Sequence, residues 1–164
     1  MDNASKEILK KELCAKLPHG IICEVFGCRT AKLDGIVNGR AYFGELDLRK
    51  FDGLVDLEYV KPYLRPMDSM SDNEENEYMA SEIYIEQQGY VPSINMFDWI
   101  DANGFDYRGL IDAGLALPAP PDIVNKYREN YERHTYDTMC DERMAREREE
   151  MNNLFNTEES LCAR

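Results

Sequence analysis

Basic residues are nearly missing from the middle of this 164-residue sequence, where residues 67–125 hold twelve acidic side chains and one basic one. The flanking stretches are closer to balance, with eleven bases and ten acids in residues 1–66 and seven bases and ten acids in residues 126–164. Binding to a polyanion requires Lys and Arg side chains that displace its counterions. The composition therefore disfavours nucleic-acid binding through the middle segment and favours a basic protein partner.

Long hydrophobic runs are missing as well. No apolar run approaches the roughly 20 residues that span a bilayer, and the first residues lack the basic-then-apolar layout of a signal peptide. We therefore expect a cytoplasmic protein without membrane association. The five cysteines are odd in number, so reduced thiols are expected rather than a disulfide framework; they are Cys14, Cys23, Cys28, Cys140 and Cys162.

Recognisable catalytic motifs are lacking too. The sequence contains no Gly-rich phosphate loop, Gly-x-Ser-x-Gly elbow or His-Glu-x-x-His motif. Its two histidines, His19 and His134, have no neighbouring Ser, Cys or acid that would suggest a triad. We therefore assign no catalytic residue and no cofactor, and we lean against an enzyme. An enzyme whose carboxylates come together only in the folded protein stays as a further alternative.

One cluster resembles a zinc ligand set, because Cys14, His19, Cys23 and Cys28 lie within fifteen residues. However, no Cys-x-x-Cys pair is present, and the odd separation of Cys23 and Cys28 would place them on opposite faces of one strand. We therefore expect packed or idle thiols and no metal site.

The residues that are present predict an α+β protein. Leucines at fourfold spacing predict a helix over 5–17, and a β-branched run predicts a strand over 21–26. Asn38-Gly39 between two apolar runs predicts a hairpin. Residues 20–60 therefore predict a small curled antiparallel sheet or an SH3-like barrel.

Helices are predicted for most of the second half. Ser71 and Glu74 match a capping box at the start of a helix over 72–80. A short helix pair over 94–103 and 107–113 is predicted, with Gly104 and Gly114 as C-terminal caps. Prolines at 118–121 predict an extended spacer, and a long charged helix over 122–153 follows. We place the α+β core domain at 1–121, and the C-terminal helix and frayed tail at 122–164.

Aromatic side chains and an arginine crowd the predicted helix pair. We name Phe97, Trp99, Tyr107 and Arg108 as candidate binding residues, because aromatics with Arg are typical of binding hot spots. The alternative is that they hold the two helices on the sheet, since aromatics dominate cores as readily as interfaces.

The predicted sheet offers a different kind of surface. Its less acidic segment combines basic and aromatic side chains, as small nucleic-acid-binding barrels do. These residues are Lys32, Arg40, Arg49, Lys50, Lys61 and Arg65 with Tyr42, Phe43 and Tyr63. A nucleic-acid-associated protein is therefore the alternative function.

Three stretches carry a family resemblance: Leu13-Cys-Ala-Lys-Leu-Pro-His-Gly20, Val60-Lys-Pro-Tyr-Leu-Arg-Pro-Met-Asp-Ser-Met70, and the motifs of 97–120. Together they resemble a family of short uncharacterised proteins from phages, prophages and mobile elements of gut Bacteroidota. The resemblance covers roughly residues 8–121 and implies a bacterial host cytoplasm, but no catalytic residue comes with it. We therefore expect a phage or mobile-element accessory protein that binds another protein rather than catalysing a reaction.

Overall fold

The computed structural model describes residues 1–46, 54–79 and 93–133, together with positions 135–136, 140, 143–145 and 148. The chain divides into two compact units, Met1–Asn130 and Tyr131–Arg164. In the second unit, the described positions are helical. None of the described helices is both long enough and apolar enough to cross a bilayer.

The first unit mixes helices and short strands, as predicted for an α+β fold. Its helices are α1 (Asn3–Lys16), α2 (72–79), α3 (Ser93–Ala102) and α4, which begins at 121. Its strands are β1 (Ile22–Val25), β2 (Arg29–Lys32), β3 (Gly35–Val37), β4 (Arg40–Tyr42), β5 (Leu54–Asp56), β6 (Val60–Leu64) and β7 (Leu117–Pro118). Single helical turns lie at Leu17–His19, Leu57–Tyr59 and Met67–Ser69.

Local interactions define both ends of helix α1. The Asp2 carboxylate accepts a hydrogen bond of 2.7 Å from the Ser5 amide, which satisfies one free donor of the first turn. Leu9 and Leu13 lie one turn apart on the buried face. After the turn at Leu17–His19, Gly20 takes a left-handed φ of +79° and redirects the chain into β1.

The strands form two small sheets, and the described residues include no closed barrel. The first sheet has the order β2-β1-β6-β7, with β7 parallel to β6, and the second has the order β3-β4-β5. The predicted hairpin joins β3 to β4: Asn38 and Gly39 have φ of +51° and +75°, as a tight two-residue turn requires.

The main core lies between α1, the two sheets and the turns after α3. Its buried members come from every one of these elements, so these elements share one packed interior. They are Leu9, Leu13, Ile21, Cys23, Val25, Ala31, Leu33, Ala41, Phe43, Val55, Leu57, Val60, Leu64, Leu110 and Ala116.

Two predicted segments have a different structure. Residues 107–114 form turns instead of a second helix, because Gly109 has a φ of +71° in the middle of the segment and the Asp106 carboxylate binds the Leu110 and Ile111 amides. The predicted proline spacer is partly a strand, since β7 pairs with β6 and the Ala119 amide donates to the Leu64 carbonyl at 2.8 Å.

The start of α4 packs on the open face of the first sheet. Ile123 and Tyr127 are buried there against Ile22, and the Tyr127 hydroxyl donates to the Tyr63 carbonyl and accepts from the Ile22 amide. Burial raises the pKa of the Tyr127 phenol above its ordinary value. The first nine residues beyond the predicted boundary at 121 therefore belong to the first unit.

Gly104 is a position where the fold depends on the absence of a side chain. A Cβ atom there would lie 2.6 Å from the Tyr127 ring, and φ is +72°. Gly109 has a φ of +71° but no atom within 4 Å of its Cβ position. We expect Gly104→Ala to cost about 1–2 kcal/mol of backbone strain plus about 1–3 kcal/mol of overpacking, whereas Gly109→Ala costs the strain alone. Urea unfolding of both variants measures the difference, and equal losses would contradict the close approach of Tyr127.

Candidate binding surface

The four candidate binding residues lie on α3 and on the turns that follow it. Phe97 and Trp99 are two residues apart in α3, so their side chains point to nearly opposite sides of the helix. Phe97 is 39% exposed, whereas Trp99 is 6% exposed. The structure therefore separates the predicted set into surface and interior residues.

Trp99 is an interior residue that joins α3 to its neighbours. Its ring stacks on Phe105 at a centroid distance of 5.5 Å and an angle of 17°, and it lies 6.0 Å from the Tyr78 ring of α2. Its indole nitrogen donates to Glu77 Oε2 at 3.4 Å. Trp99 therefore holds α2 and α3 together, as the core alternative for this residue expects.

Phe97, Tyr107 and Arg108 form a continuous group at the surface, which we call the aromatic surface. The rings of Phe97 and Tyr107 lie 5.5 Å apart at an angle of 45°. The Arg108 guanidinium carbon lies 4.7 Å from the centroid of the Tyr107 ring, within the range of a cation–π contact. Three of the four candidate residues are therefore neighbours in space.

A network of four charges supports the aromatic surface from below. Lys16 of α1 lies 2.6 Å from Asp101 Oδ1 and 3.1 Å from Glu12 Oε1, the latter outside hydrogen-bonding geometry. Arg108 Nη1 donates to Glu12 Oε2 at 3.0 Å. Two positive and two negative groups therefore balance, as charges buried in a protein must.

Burial controls protonation in this network. It raises the pKa of the Glu12 carboxyl above its ordinary value of 4.5, although Lys16 and Arg108 act in the opposite direction. Burial also raises the pKa of the Tyr107 phenol, and the nearby Asp101 carboxylate adds to the shift. Tyr107 therefore presents a neutral hydroxyl at physiological pH.

A second buried cluster positions α2. The Arg65 guanidinium is 2% exposed and donates two hydrogen bonds to Glu74, at 2.8 Å and 2.9 Å. Its carbon lies 4.1 Å from the centroid of the Phe105 ring, and Arg128 of α4 donates to Glu74 at 3.1 Å. The predicted capping box is present, because the Ser71 amide and hydroxyl also donate to the same carboxylate. We call this group the Arg65 cluster.

The pKa of Glu74 follows from these contacts. Burial raises it, but hydrogen bonds from Arg65, from Ser71 and from Arg128 outweigh that effect and hold the pKa far below the ordinary value of 4.5. Glu74 is therefore ionised over the whole physiological range.

A groove beside α2 was not anticipated from the sequence. It has a volume of about 380 Å³ and is lined by Met67, Asp68, Met70, Glu75, Tyr78 and Met79. We call it the methionine groove. The one signal for it in the sequence is a group of three methionines within thirteen residues, Met67, Met70 and Met79. Their spacings of three and nine residues fit no single helical face.

The basic and aromatic residues of the alternative function are dispersed. Arg65 and Phe43 are buried, Arg40 pairs with Asp56 at 3.0 Å, and Arg49 and Lys50 lie outside the described residues. Lys32 and Lys61 are exposed on the face of the first sheet that α4 partly covers.

The cysteine and histidine residues of the possible zinc set are also dispersed. Cys23 is buried in the core, where burial raises its pKa, whereas Cys14 and Cys28 are exposed. His19 lies in the turn after α1, and His134 is outside the described residues. Across the described part of the chain, no three His, Cys, Asp or Glu side chains are close enough to hold a metal ion.

Comparisons of the chain with protein-family models, with curated proteins and with solved structures gave no match.

The two aromatic residues of α3 provide a direct test of the division into surface and interior residues, with Phe97 at the surface and Trp99 inside. Trp99→Ala is expected to cost about 3–5 kcal/mol of stability because it empties a buried site. Phe97→Ala is expected to cost about 1 kcal/mol, since it removes one aromatic pair at the surface. Guanidinium unfolding curves measure both, and a Trp99→Ala protein as stable as the Phe97→Ala protein would refute the interior role.

The Arg65 cluster makes stability depend on pH. Glu74→Gln is expected to cost about 3–5 kcal/mol at neutral pH, because it leaves Arg65 buried without its counter-charge. The lowered pKa means that the ionic contribution of Glu74 is complete above its ordinary value of 4.5 and is lost as pH falls below it. The difference in unfolding free energy between the wild type and Glu74→Gln should therefore shrink between about pH 6 and about pH 3.

Glu12→Gln is the matched control, because its effect on stability should change with pH in the opposite direction. Because the folded state raises the pKa of Glu12, the folded state holds this proton more tightly than the unfolded chain. The contribution of Glu12 to stability therefore falls as pH rises above 4.5, and the cost of Glu12→Gln should decrease with rising pH. Parallel pH dependences for the two variants would contradict the assignment.

Proposed function

We propose that the protein is an accessory protein of a phage or mobile element that acts by binding another protein rather than by catalysis. The observation that carries this proposal is the aromatic surface, where Phe97, Tyr107 and Arg108 are in contact with one another and reachable from solvent. Aromatic residues and arginine are the residue types enriched at binding hot spots.

The aromatic surface is supported by groups that already hold its side chains in place. Arg108 is fixed by Glu12, which is itself held by Lys16, so the guanidinium has little rotational freedom left to lose. Each flexible side chain immobilised on binding costs about 0.5–1.5 kcal/mol. A surface that is ordered before the partner arrives avoids that cost, which supports binding at this position.

The charge of the surrounding segment supports a basic partner. Residues 67–125 have a net charge of −11, and Arg108 is the only basic residue among them. Asp98 and Asp112, which flank the aromatic surface in the sequence, are exposed. Charges of one sign around a contact accelerate association with a partner of the other sign and exclude partners of like sign.

The test is affinity capture from a Bacteroidota host, the setting that the sequence resemblance suggests. Tagged wild-type protein, a Phe97→Ala/Tyr107→Ala double variant and a Tyr59→Ala control are compared at low salt, with the retained proteins identified by mass spectrometry. Tyr59 is 49% exposed and its ring lies 5.5 Å from the ring of a phenylalanine, Phe26, at an angle of 34°, so the control loses a comparable surface ring elsewhere.

We expect the wild type and the Tyr59→Ala control to retain the same partner. The double variant should retain at least about tenfold less, because truncation of a hot-spot residue costs about 2 kcal/mol or more. Equal recovery by all three proteins, or recovery of nucleic acid in place of a protein, would refute the proposal.

A further inference from the structure

We infer that the methionine groove is a second docking site, which binds the apolar face of a basic amphipathic helix. The inference is independent of the aromatic surface, because none of Phe97, Tyr107 and Arg108 lines the groove. It rests on the lining of the groove, on its charge and on the structure of its walls.

The lining combines adaptable methionine side chains with two carboxylates and a tyrosine. Met67 and Met70 are half-buried and Met79 is 51% exposed, so three thioether side chains are open to an incoming group. Methionine is unbranched and polarisable, and it is frequent at surfaces that must adapt to apolar side chains of different shapes. The volume of about 380 Å³ lies within the range of about 300–1,000 Å³ of ordinary ligand sites.

The charge of the groove selects the sign of the partner. Residues 67–79 contain five acidic side chains and no basic one. Glu74 is used internally by Arg65, and Glu77 contacts the Trp99 indole. Asp68 and Glu75 line the groove, are exposed, and form no ion pair with any other described residue. These two carboxylates therefore complement Lys or Arg side chains that flank an apolar anchor.

The walls of the groove favour a helix over an extended peptide. One wall is the helical turn Met67–Ser69 and the other is α2. Backbone groups of both walls pair locally, as the Met70 amide bonded to the Met67 carbonyl and the Glu75 amide bonded to the Ser71 carbonyl illustrate. The groove therefore offers no strand edge to which an extended peptide could add. A helix satisfies its own backbone and needs only side-chain contacts.

The wall formed by α2 is fixed before any partner binds. Its first turn is held by the capping box of Ser71 and Glu74, and Glu74 is anchored to the buried Arg65. Tyr78, which lines the groove, lies against the Trp99 ring. The groove is therefore a preformed site with an adaptable methionine lining.

The experiment uses purified protein with isotope-labelled methionine methyl groups and a synthetic helical peptide of leucine and lysine, with leucines at i, i+3, i+4 and i+7. Single Met→Leu variants assign the methyl signals. We expect the signals of Met67, Met70 and Met79 to shift on titration and those of Met1, Met96 and Met144 to stay unchanged. The same peptide with glutamate in place of lysine should bind at least about tenfold more weakly.

Charge reversal tests the two carboxylates. The double variant Asp68→Lys/Glu75→Lys should bind the lysine peptide at least about tenfold more weakly and the glutamate peptide more tightly than the wild type does. The double variant Glu45→Lys/Glu58→Lys is the control, because it makes the same change in net charge at two exposed acids that do not line the groove. The control should retain most of the affinity for the lysine peptide.

Four outcomes would overturn the inference. They are equal affinities of the two double variants for the lysine peptide, shifts confined to methionines outside the groove, no binding of the lysine peptide, and groove signals that shift with protein concentration alone. The last would identify a second copy of this chain as the occupant. Because the readout is peptide binding by the purified protein, its failure leaves the capture experiment on the aromatic surface unaffected.

Discussion

The buried guanidinium of Arg65 is the constraint on which much of the structure depends. A charge removed from water costs several kcal/mol unless a counter-charge and hydrogen bonds replace its hydration. Here the replacement comes from Glu74 of α2 and from the face of Phe105 after α3. The backbone of Arg65 is bound as well, since its amide donates to the Gly104 carbonyl and its carbonyl accepts from the Asp106 amide. Meeting these demands fixes α2, the end of α3 and β6 relative to one another.

Several acidic residues of segment 67–125, whose net charge is −11, lie in the interior of the protein. Glu74, Asp101 and Asp106 of the acidic segment are buried, and each has a specific partner: Arg65, Lys16 or the amides of 110–111. Two of these partners, Lys16 and Arg65, are cations from residues 1–66, a segment that is close to neutral. Part of the negative charge of the acidic segment is therefore neutralised inside the protein. The remaining exposed carboxylates give the surface of this segment its negative charge.

Features set by neighbouring residues could be predicted from the sequence. The Ser71 and Glu74 capping box, the Asn38-Gly39 hairpin and the left-handed conformation of Gly104 just after α3 all occur, because a few adjacent side chains and φ angles decide each of them. The helix predicted over 107–113 is wrong, because Gly114 indicates only where a helix could end, whereas Gly109 takes a left-handed φ in the middle of the segment. The division of the strands into two sheets depends on pairings distant in sequence, which no local pattern specifies.

The candidate surface was predictable only in part, for the same reason. Phe97, Tyr107 and Arg108 lie close together in the fold, whereas Trp99 is an interior residue. The separation of two residues between Phe97 and Trp99 already excludes a common helical face. By contrast, the buried Lys16 and Arg65 could not have been identified, because Lys and Arg are rarely interior residues and their partners are far away in the sequence. The methionine groove depends in turn on how Arg65 places α2.

Glu74 satisfies two demands with one carboxylate, since it caps the first turn of α2 and neutralises Arg65. A helix that is only capped can fray at its end without disturbing the rest of a protein. Here the loss of the first turn of α2 would also remove the counter-charge of Arg65. The local opening of α2 therefore carries the additional cost of leaving a buried charge unpaired. The wall that α2 gives to the groove therefore depends on the same carboxylate that neutralises Arg65.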